Sequence, residues 1–311
     1  MANFSVSDAV GAGFKLIGQR PVSVFVWGLF VVVLGVLPAL GMVSSMMGPM
    51  MDFAREAQLH PGAQPSGEAF SRTYMHLMFM NPLIRLLSMA VKVMVAAAVF
   101  RAVLEPKRKA FAYLRVSMQE VWMLLVQIVK AILIGVGVVG YAIAAGLIIA
   151  AVAHFVSRPA AGIVAVIAVI ICLVGVIWVA LRLSLATVLS FEERGFRLFE
   201  SWRVTRGHAF SLLLVALLLF IILILLELVL MAVIGIPMMM FTGQHMATHA
   251  ANHEAILAFL KQPPQVILQS VGPVMAVGVL IGSYVIGAVS AIVYAPWAAA
   301  YRMLRPEASA S

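Results

Sequence analysis

The chain has 311 residues, of which 64% are apolar and only 11% charged, and its mean hydropathy is +1.09. No polar stretch of domain length remains for a soluble catalytic domain, so we expect an all-α integral membrane protein with no enzymatic activity and no cofactor. A net charge of +9 would suggest nucleic acid in a soluble protein. Here the basic residues lie beside apolar blocks, which favours anionic phospholipids of the bilayer as partner and argues against nucleic acid.

Six apolar blocks are long enough to cross about 30 Å of hydrocarbon as helices, which satisfy their own backbone hydrogen bonds. The predicted transmembrane helices lie at 21–46, 82–104, 120–155, 161–190, 209–241 and 266–301. The third and sixth are longer than a bilayer requires. Pro273 and Pro296 predict irregularities in the sixth.

Lysines and arginines are distributed unequally between the two ends of these blocks. Thirteen of the 21 lie beside the termini and in the 105–119 and 191–208 loops, whereas four lie on the side of the 47–81 and 242–265 loops. By the positive-inside rule, both termini and the basic loops face the cytoplasm. We therefore expect a multi-pass protein of the bacterial inner (cytoplasmic) membrane.

A short basic, aromatic motif recurs before three of the outward-going spans. It reads Gly13-Phe14-Lys15-Leu16-Ile17, Ala110-Phe111-Ala112-Tyr113-Leu114 and Gly195-Phe196-Arg197-Leu198-Phe199. The recurrence predicts three repeat units at 8–105, 106–191 and 192–303, each an interfacial amphipathic helix followed by a transmembrane hairpin. The alternative is that any juxtamembrane segment looks basic and aromatic. Either way, 1–311 is one membrane domain, with 304–311 as a short tail.

The segment 190–208 is the most specific stretch of the chain. It reads Ser190-Phe191-Glu192-Glu193-Arg194-Gly195-Phe196-Arg197-Leu198-Phe199-Glu200-Ser201-Trp202-Arg203-Val204-Thr205-Arg206-Gly207-His208. The segment contains an acidic residue, a glycine, Ser-Trp-Arg and Thr-Arg-Gly in that order. This order resembles the signature of the bacterial membrane domain attached to some glycerophosphodiester phosphodiesterases, and of its stand-alone relatives. The opening Phe4-Ser5-Val6-Ser7-Asp8-Ala9 is similar to that family's N-terminal helix. The resemblance implies a multi-pass, non-catalytic membrane domain.

The same segment predicts an amphipathic helix in the headgroup layer. Phe196, Phe199, Trp202 and Val204 fall largely on one helical face. The residues expected to bind lipid phosphates or the interface are Arg197, Trp202, Arg203 and Arg206. The leading hypothesis is therefore a membrane organiser or scaffold that binds anionic phospholipid and docks a protein partner or further copies of itself.

Ionisable residues inside the predicted spans suggest an alternative function. Lys92 and Lys130 lie near the middle of their spans, so a groove near them could carry a lipid or small anion across the membrane. The competing interpretation is that both lysines extend to the interface. Arg85 and Glu227 lie at similar depth near the outer boundary and predict a structural ion pair.

Histidines concentrate on the predicted outer side, where His245, His249 and His253 follow a spacing of four residues. On a helix this spacing stacks imidazoles along one stripe, and adjacent pairs suit Zn²⁺ or Cu²⁺. Neighbouring methionines would suit Cu(I), so copper or zinc handling is a second alternative. The competing interpretation is a small cap whose histidines face water.

Gly135, Gly137 and Gly140 spell a Gly-x-Gly-x-x-Gly pattern inside the third span. No strand precedes it, so it does not predict a dinucleotide site. Small residues in a membrane helix instead favour close approach of another helix. The single cysteine, Cys172, lies in an apolar run and is expected to pack as a small apolar residue.

Overall fold

A computed structural model describes residues 4–36, 38, 67–106, 111–235 and 264–305, and every regular element within them is helical. The α-helices are α1 (Val6–Gln19), α2 (Pro21–Val31), α3 (Gly67–Leu104), α4 (Met118–Phe155), α5 (Arg158–Arg182), α6 (Ala186–Glu192), α7 (Glu200–Val204), α8 (Ala209–Leu230) and α9 (Pro264–Leu304). One π-helical turn, Val32–Val36, continues α2, and another, Met231–Gly235, continues α8.

The boundaries of the α4–α5 hairpin follow from its capping residues. Ser117 caps α4 through a capping box, in which its side chain accepts from the first turn while the Glu120 side chain accepts from the Ser117 backbone. Ser157 caps α5 by accepting from the Ala160 N–H, and Pro159 occupies the first turn. Only two residues therefore separate α4 from α5, which makes them antiparallel neighbours.

Within the described residues, five segments are long and apolar enough to cross a bilayer. They are Leu86–Leu104, Phe111–Phe155, Arg158–Glu192, Ala209–Val233 and Ala276–Leu304. A sixth arises if Val6–Gln19 and Pro21–Val36, which meet at an angle of 97°, are counted as one bent span. The protein is thus a multi-pass α-helical membrane protein, as its composition predicts.

The described chain divides into two compact units. Unit 1 comprises Met1–Leu16, Lys92–Val215 and Tyr294–Ser311, and unit 2 comprises Ile17–Val91 and Ala216–Val293. The core of unit 1 brings the end of α3 together with α6 and the end of α9. In it, the Phe100 ring meets Phe191 and Tyr294 edge-on at centroid distances of 5.8 and 6.5 Å.

Unit 2 contains a close crossing of α2 and α9. A Cβ placed on Gly28 would lie 1.6 Å from the carbonyl oxygen of Ser283, and one on Gly287 would lie 1.9 Å from that of Val24. Both distances are far shorter than any side chain tolerates. Glycine at positions 28 and 287 is therefore what lets the two backbones touch.

Several predicted features differ in the structure. The segment 190–208 is not one amphipathic helix: α6 ends at Glu192, Arg194 adopts a left-handed φ of 52°, and only Glu200–Val204 is helical again. Before α4, Phe111–Tyr113 forms a single 3-10 turn, because Ala112 and Tyr113 are left-handed at φ 47° and 59° and cannot continue a helix. Only the first predicted interfacial helix has a full-length counterpart, in α1.

The prolines of the last span do not interrupt it, because α9 is helical from Pro264 to Leu304 and runs through Pro273 and Pro296. Each proline removes one backbone hydrogen bond from a helix of 41 residues, which membrane helices tolerate. The three-unit repeat stays a prediction.

Candidate functional site

Arg101 and Glu120 form a buried ion pair at one end of unit 1, and each side chain is more than nine-tenths covered. Arg101 Nη1 also donates to the backbone carbonyls of Tyr113 (3.2 Å) and Arg115 (3.3 Å), and its guanidinium lies 5.5 Å from the centre of the Phe191 ring. The second carboxylate oxygen of Glu120 accepts from the Ser117 N–H (2.7 Å) and hydroxyl (2.6 Å). This network attaches the α3–α4 connection to the end of α3.

A polar cavity of about 480 Å³ opens beside this network. Its lining residues are Arg101, Glu105, Arg115, Ser117, Met118, Gln119 and Arg194. Arg101 is neutralised by Glu120, whereas Arg115 and Arg194 are exposed and form no salt bridge with another described residue. With Arg101 neutralised, two arginines, Arg115 and Arg194, stand against one lining carboxylate, that of Glu105, which makes the cavity suited to an anion.

The Ser-Trp-Arg and Thr-Arg-Gly stretches donate side-chain hydrogen bonds to the C-terminal end of α5. Ser201 Oγ donates to the carbonyl of Arg182 at 2.7 Å, and Thr205 Oγ1 donates to the carbonyl of Ser201 at 2.9 Å. The last carbonyls of a helix lack partners within it, and that of Arg182 accepts from both Ser201 Oγ and, at 3.4 Å, Thr205 Oγ1. Because Ser201 and Thr205 are buried, Trp202, which directly follows Ser201, is held against the end of α5, where its ring meets that of Trp178.

The side chain of Arg182 lies against two tryptophans. Its guanidinium carbon is 5.6 Å from the Trp178 ring centre and 5.8 Å from that of Trp202, and the two rings meet edge-to-face at 4.8 Å. Both rings offer cation–π attraction. The Nε and Nη1 atoms of Arg182 are buried, however, and find no hydrogen-bond acceptor among the described residues.

An acidic residue of the motif, Glu193, joins the segment to the end of α9. Its carboxylate lies 2.6 Å from Arg305 and 3.1 Å from Arg197. Partial burial alone would lower the pKa of Arg305, but its hydrogen bond to Glu193 and the neighbouring Tyr301 raise the pKa overall. Arg305 therefore stays charged throughout the physiological range.

The predicted lipid-binding residues of the segment fall into different environments. Arg197 is paired with Glu193 and Glu200, so its charge is already compensated. Trp202 contacts Trp178 and Arg182. Arg203 and Arg206 are exposed, as a headgroup-binding role requires, and their role stays a prediction.

The structure does not bring Lys92 and Lys130 into the polar cavity. Lys92 is exposed on α3, and Lys130 is half-buried on α4. Glu227 is exposed on α8, but the side chain of its predicted partner Arg85 lies outside the described residues, as do His245, His249 and His253. Within the described residues, no group of three His, Cys, Asp or Glu side chains is arranged to hold a metal ion.

Two features of the site were missed by sequence reasoning. Ser117 and Glu120 form the capping-box pattern Ser-x-x-Glu directly before an apolar run, which marks the start of α4 and the capping role of Glu120. Trp178 and Arg182 are four residues apart, so a helix places them on one face. That spacing was the available signal for the cation–π contact.

Comparison with known proteins identifies no relative: no family model, no curated protein and no solved structure matches the chain. The resemblance to the membrane domain of phosphodiesterases therefore stays a prediction.

Proposed function

We propose that the protein is a non-enzymatic membrane organiser that binds anionic phospholipid headgroups in the polar cavity of unit 1. The observation that carries the proposal is the pair Arg115 and Arg194, two exposed arginines that line one cavity and form no salt bridge with another described residue. Arginine binds phosphate through paired hydrogen bonds in a fixed geometry.

The position of the cavity supports this proposal. It lies where α3 ends at Leu104 and α4 begins at Met118, that is, where two apolar segments leave the hydrocarbon and phosphates of the bilayer are found. The Arg101–Glu120 pair holds the α3–α4 connection in place. Consequently Arg115 is presented by a loop fixed at its base, which reduces the ordering cost of binding.

Lipid recognition in the cavity would let the protein recruit partners to a lipid-defined patch of membrane. The partner is a further protein or another copy of this chain, and the basic residues Arg203 and Arg206 are exposed for such contacts. Under this proposal the basic end faces the cytoplasm of the inner membrane, where anionic headgroups attract basic segments.

The proposal is tested by titrating detergent-purified protein with phosphatidylglycerol and following the bound fraction by native mass spectrometry. Arg115→Ala combined with Arg194→Ala should weaken binding at least about tenfold, because charge-assisted hydrogen bonds contribute about 1.5–3 kcal/mol each. Raising the ionic strength should weaken wild-type binding in the same direction.

The matched control is Arg158→Ala, which removes an exposed arginine from the opposite end of the α4–α5 hairpin. It should leave binding unchanged. Equal binding by the wild type and the double variant, or equal loss in the control, would show that the cavity is not the headgroup site.

A further inference from the structure

A second cavity, which we call the hairpin groove, runs between α4 and α5 and has a volume of about 530 Å³. Its walls are almost entirely apolar, with Gly137 and Tyr141 on α4 and Cys172, Gly175 and Trp178 on α5. The one hydroxyl among them is satisfied, because Tyr141 donates to the Ala168 carbonyl at 2.8 Å. The groove therefore offers its occupant no hydrogen-bonding group that needs a partner.

The hairpin groove is open because its floor carries glycine. A Cβ placed on Gly137 or Gly175 would meet no atom within 4 Å. The lining of α5 extends from Ile171 to Val179, about 12 Å at 1.5 Å per residue, which is close to half of a hydrocarbon core of about 30 Å. A single acyl chain within one leaflet matches that extent.

The groove reaches the Arg182 site through a shared side chain. Trp178 lines the groove and also contacts the guanidinium of Arg182 one helical turn further along α5. Two nitrogen atoms of that guanidinium have no acceptor among the described residues. An apolar groove whose wall residue Trp178 also contacts an under-satisfied cation has the polarity of a phospholipid, with the acyl chain in the groove and the phosphate at the end of the helix.

We infer that the hairpin groove binds one anionic phospholipid, with an acyl chain between α4 and α5 and the phosphate on Arg182. This site is separate from the polar cavity of Arg115 and Arg194, and it goes beyond headgroup recognition there. Ser201 and Thr205 are positioning residues, since they hold Trp202 against Arg182. The tryptophans confine the guanidinium, and the phosphate accepts the hydrogen bonds that protein groups leave unmade.

The experiment measures phospholipid retained by the full-length protein after detergent exchange, using native mass spectrometry with phosphatidylglycerol as probe. Gly175→Leu fills the groove from a position with open space at its Cβ, and leucine favours helix more than glycine does, so the variant should fold. Arg182→Gln removes the cation at a position that does not itself line the groove. Because the polar cavity is proposed to hold a separate phospholipid, each variant should lower the occupancy of only one of the phospholipids bound to the wild type, by at least tenfold.

Two matched controls accompany these variants. Gly135→Leu makes the same exchange at another open glycine of α4 that does not line the groove. Arg158→Gln removes an exposed arginine at the other end of α5. Both should retain phospholipid like the wild type, and thermal unfolding of every variant separates loss of lipid from loss of fold.

Cys172 provides an independent readout, because it is the only cysteine of the chain and lines the groove. Added phosphatidylglycerol should slow alkylation of Cys172 by a membrane-permeant maleimide in the wild type but not in Arg182→Gln. Glycerol phosphate, which lacks acyl chains, should give no protection.

Loss of retention in both Gly175→Leu and Arg182→Gln, with both controls intact, supports the inference. No retained phospholipid in the wild type, or retention unaffected by Gly175→Leu, overturns it. A wild-type dimer that Gly175→Leu converts to monomer also overturns it, because a second copy would then fill the groove. Failure of the polar-cavity proposal can be told apart from failure of this inference. The polar cavity is tested by the double variant Arg115→Ala with Arg194→Ala, which does not change any residue that lines the groove.

Discussion

Arg101 and Glu120 are the two charged side chains that the fold buries within the described residues. Burying ions is costly, and the pair is tolerated because each partner compensates the other and because backbone carbonyls and the Ser117 cap take up the remaining hydrogen bonds. Comparing the numbers of lysines and arginines on the two sides of the membrane identifies Arg101 only as one of the basic residues on the cytoplasmic side. Its real surroundings depend on a loop that returns to the end of α3.

Removing one partner of this pair should be strongly destabilising. Glu120→Ala leaves the Arg101 guanidinium buried without its counter-ion, which is expected to cost about 3–5 kcal/mol. We expect a marked fall in the thermal unfolding midpoint of the purified protein. The comparison is Glu200→Ala, which breaks the partly exposed pair with Arg197 and should cost about 1 kcal/mol or less. Similar midpoints for the two variants would contradict the buried-network description.

Among the helices, the crossing of α2 with α9 depends on two glycines. Close approach of helices was predicted for Gly135, Gly137 and Gly140, yet nothing lies within 4 Å of a Cβ placed on any of them. The close contacts occur instead at Gly28 and Gly287. Sequence pattern alone does not separate these cases, since a small residue permits close packing but does not say which face of a helix another helix approaches.

Gly28→Ala or Gly287→Ala should separate α2 from α9. A methyl group at either position would overlap a backbone carbonyl of the other helix, which cannot rotate away as a side chain does. Overpacking of this kind is expected to cost about 1–3 kcal/mol or more. Reduced yield of folded protein and a lower unfolding midpoint are the measurements.

Gly35→Ala and Gly278→Ala serve as controls for this crossing. A Cβ at position 35 would meet Val31 and Val91 at ordinary distances of 3.8 and 3.9 Å, and one at position 278 would meet nothing within 4 Å. Both variants should unfold at or above the wild-type temperature, because alanine favours helix over glycine. Wild-type stability of Gly28→Ala would refute the tight crossing.

For the protein as a whole, the distribution of lysine and arginine predicts which way it crosses the membrane. The helix α4 has 38 residues, about 57 Å at 1.5 Å per residue, and so exceeds a hydrocarbon core of about 30 Å. Val116 and Val156 flank it and are both exposed. They should therefore lie on opposite sides of the bilayer, with Val116 in the cytoplasm.

This orientation is tested with single cysteines in a Cys172→Ser background expressed in bacteria. Val156→Cys should react with a membrane-impermeant maleimide in intact spheroplasts, whereas Val116→Cys should react only after permeabilisation. The reverse pattern would invert the orientation. Reaction of both positions in intact spheroplasts would mean that α4 does not span the membrane.

The sequence by itself determined that this protein lies in a lipid bilayer and that its fold is all-α. Long apolar runs admit few structures in lipid other than helices, because every backbone group must be satisfied within the segment. The helices of the structure accordingly lie near the predicted spans, and the capping serines at 117 and 157 follow from local chemistry. These properties depend on residues close together in the chain.

Only the tertiary structure decided which residues meet across the chain. Arg101 with Glu120, Arg182 with Trp202, and Gly28 with Ser283 are separated by 19, 20 and 255 positions, and no periodicity encodes such contacts. The same is true of the predicted amphipathic helix at 190–208, whose helical spacing was outweighed by hydrogen bonds from Ser201 and Thr205 to the Arg182 carbonyl and from the Arg197 N–H to Ser190 Oγ. The apolar residues of a membrane helix are compatible with many arrangements of neighbouring helices. In unit 1, the polar contacts at the helix ends favour one of these arrangements.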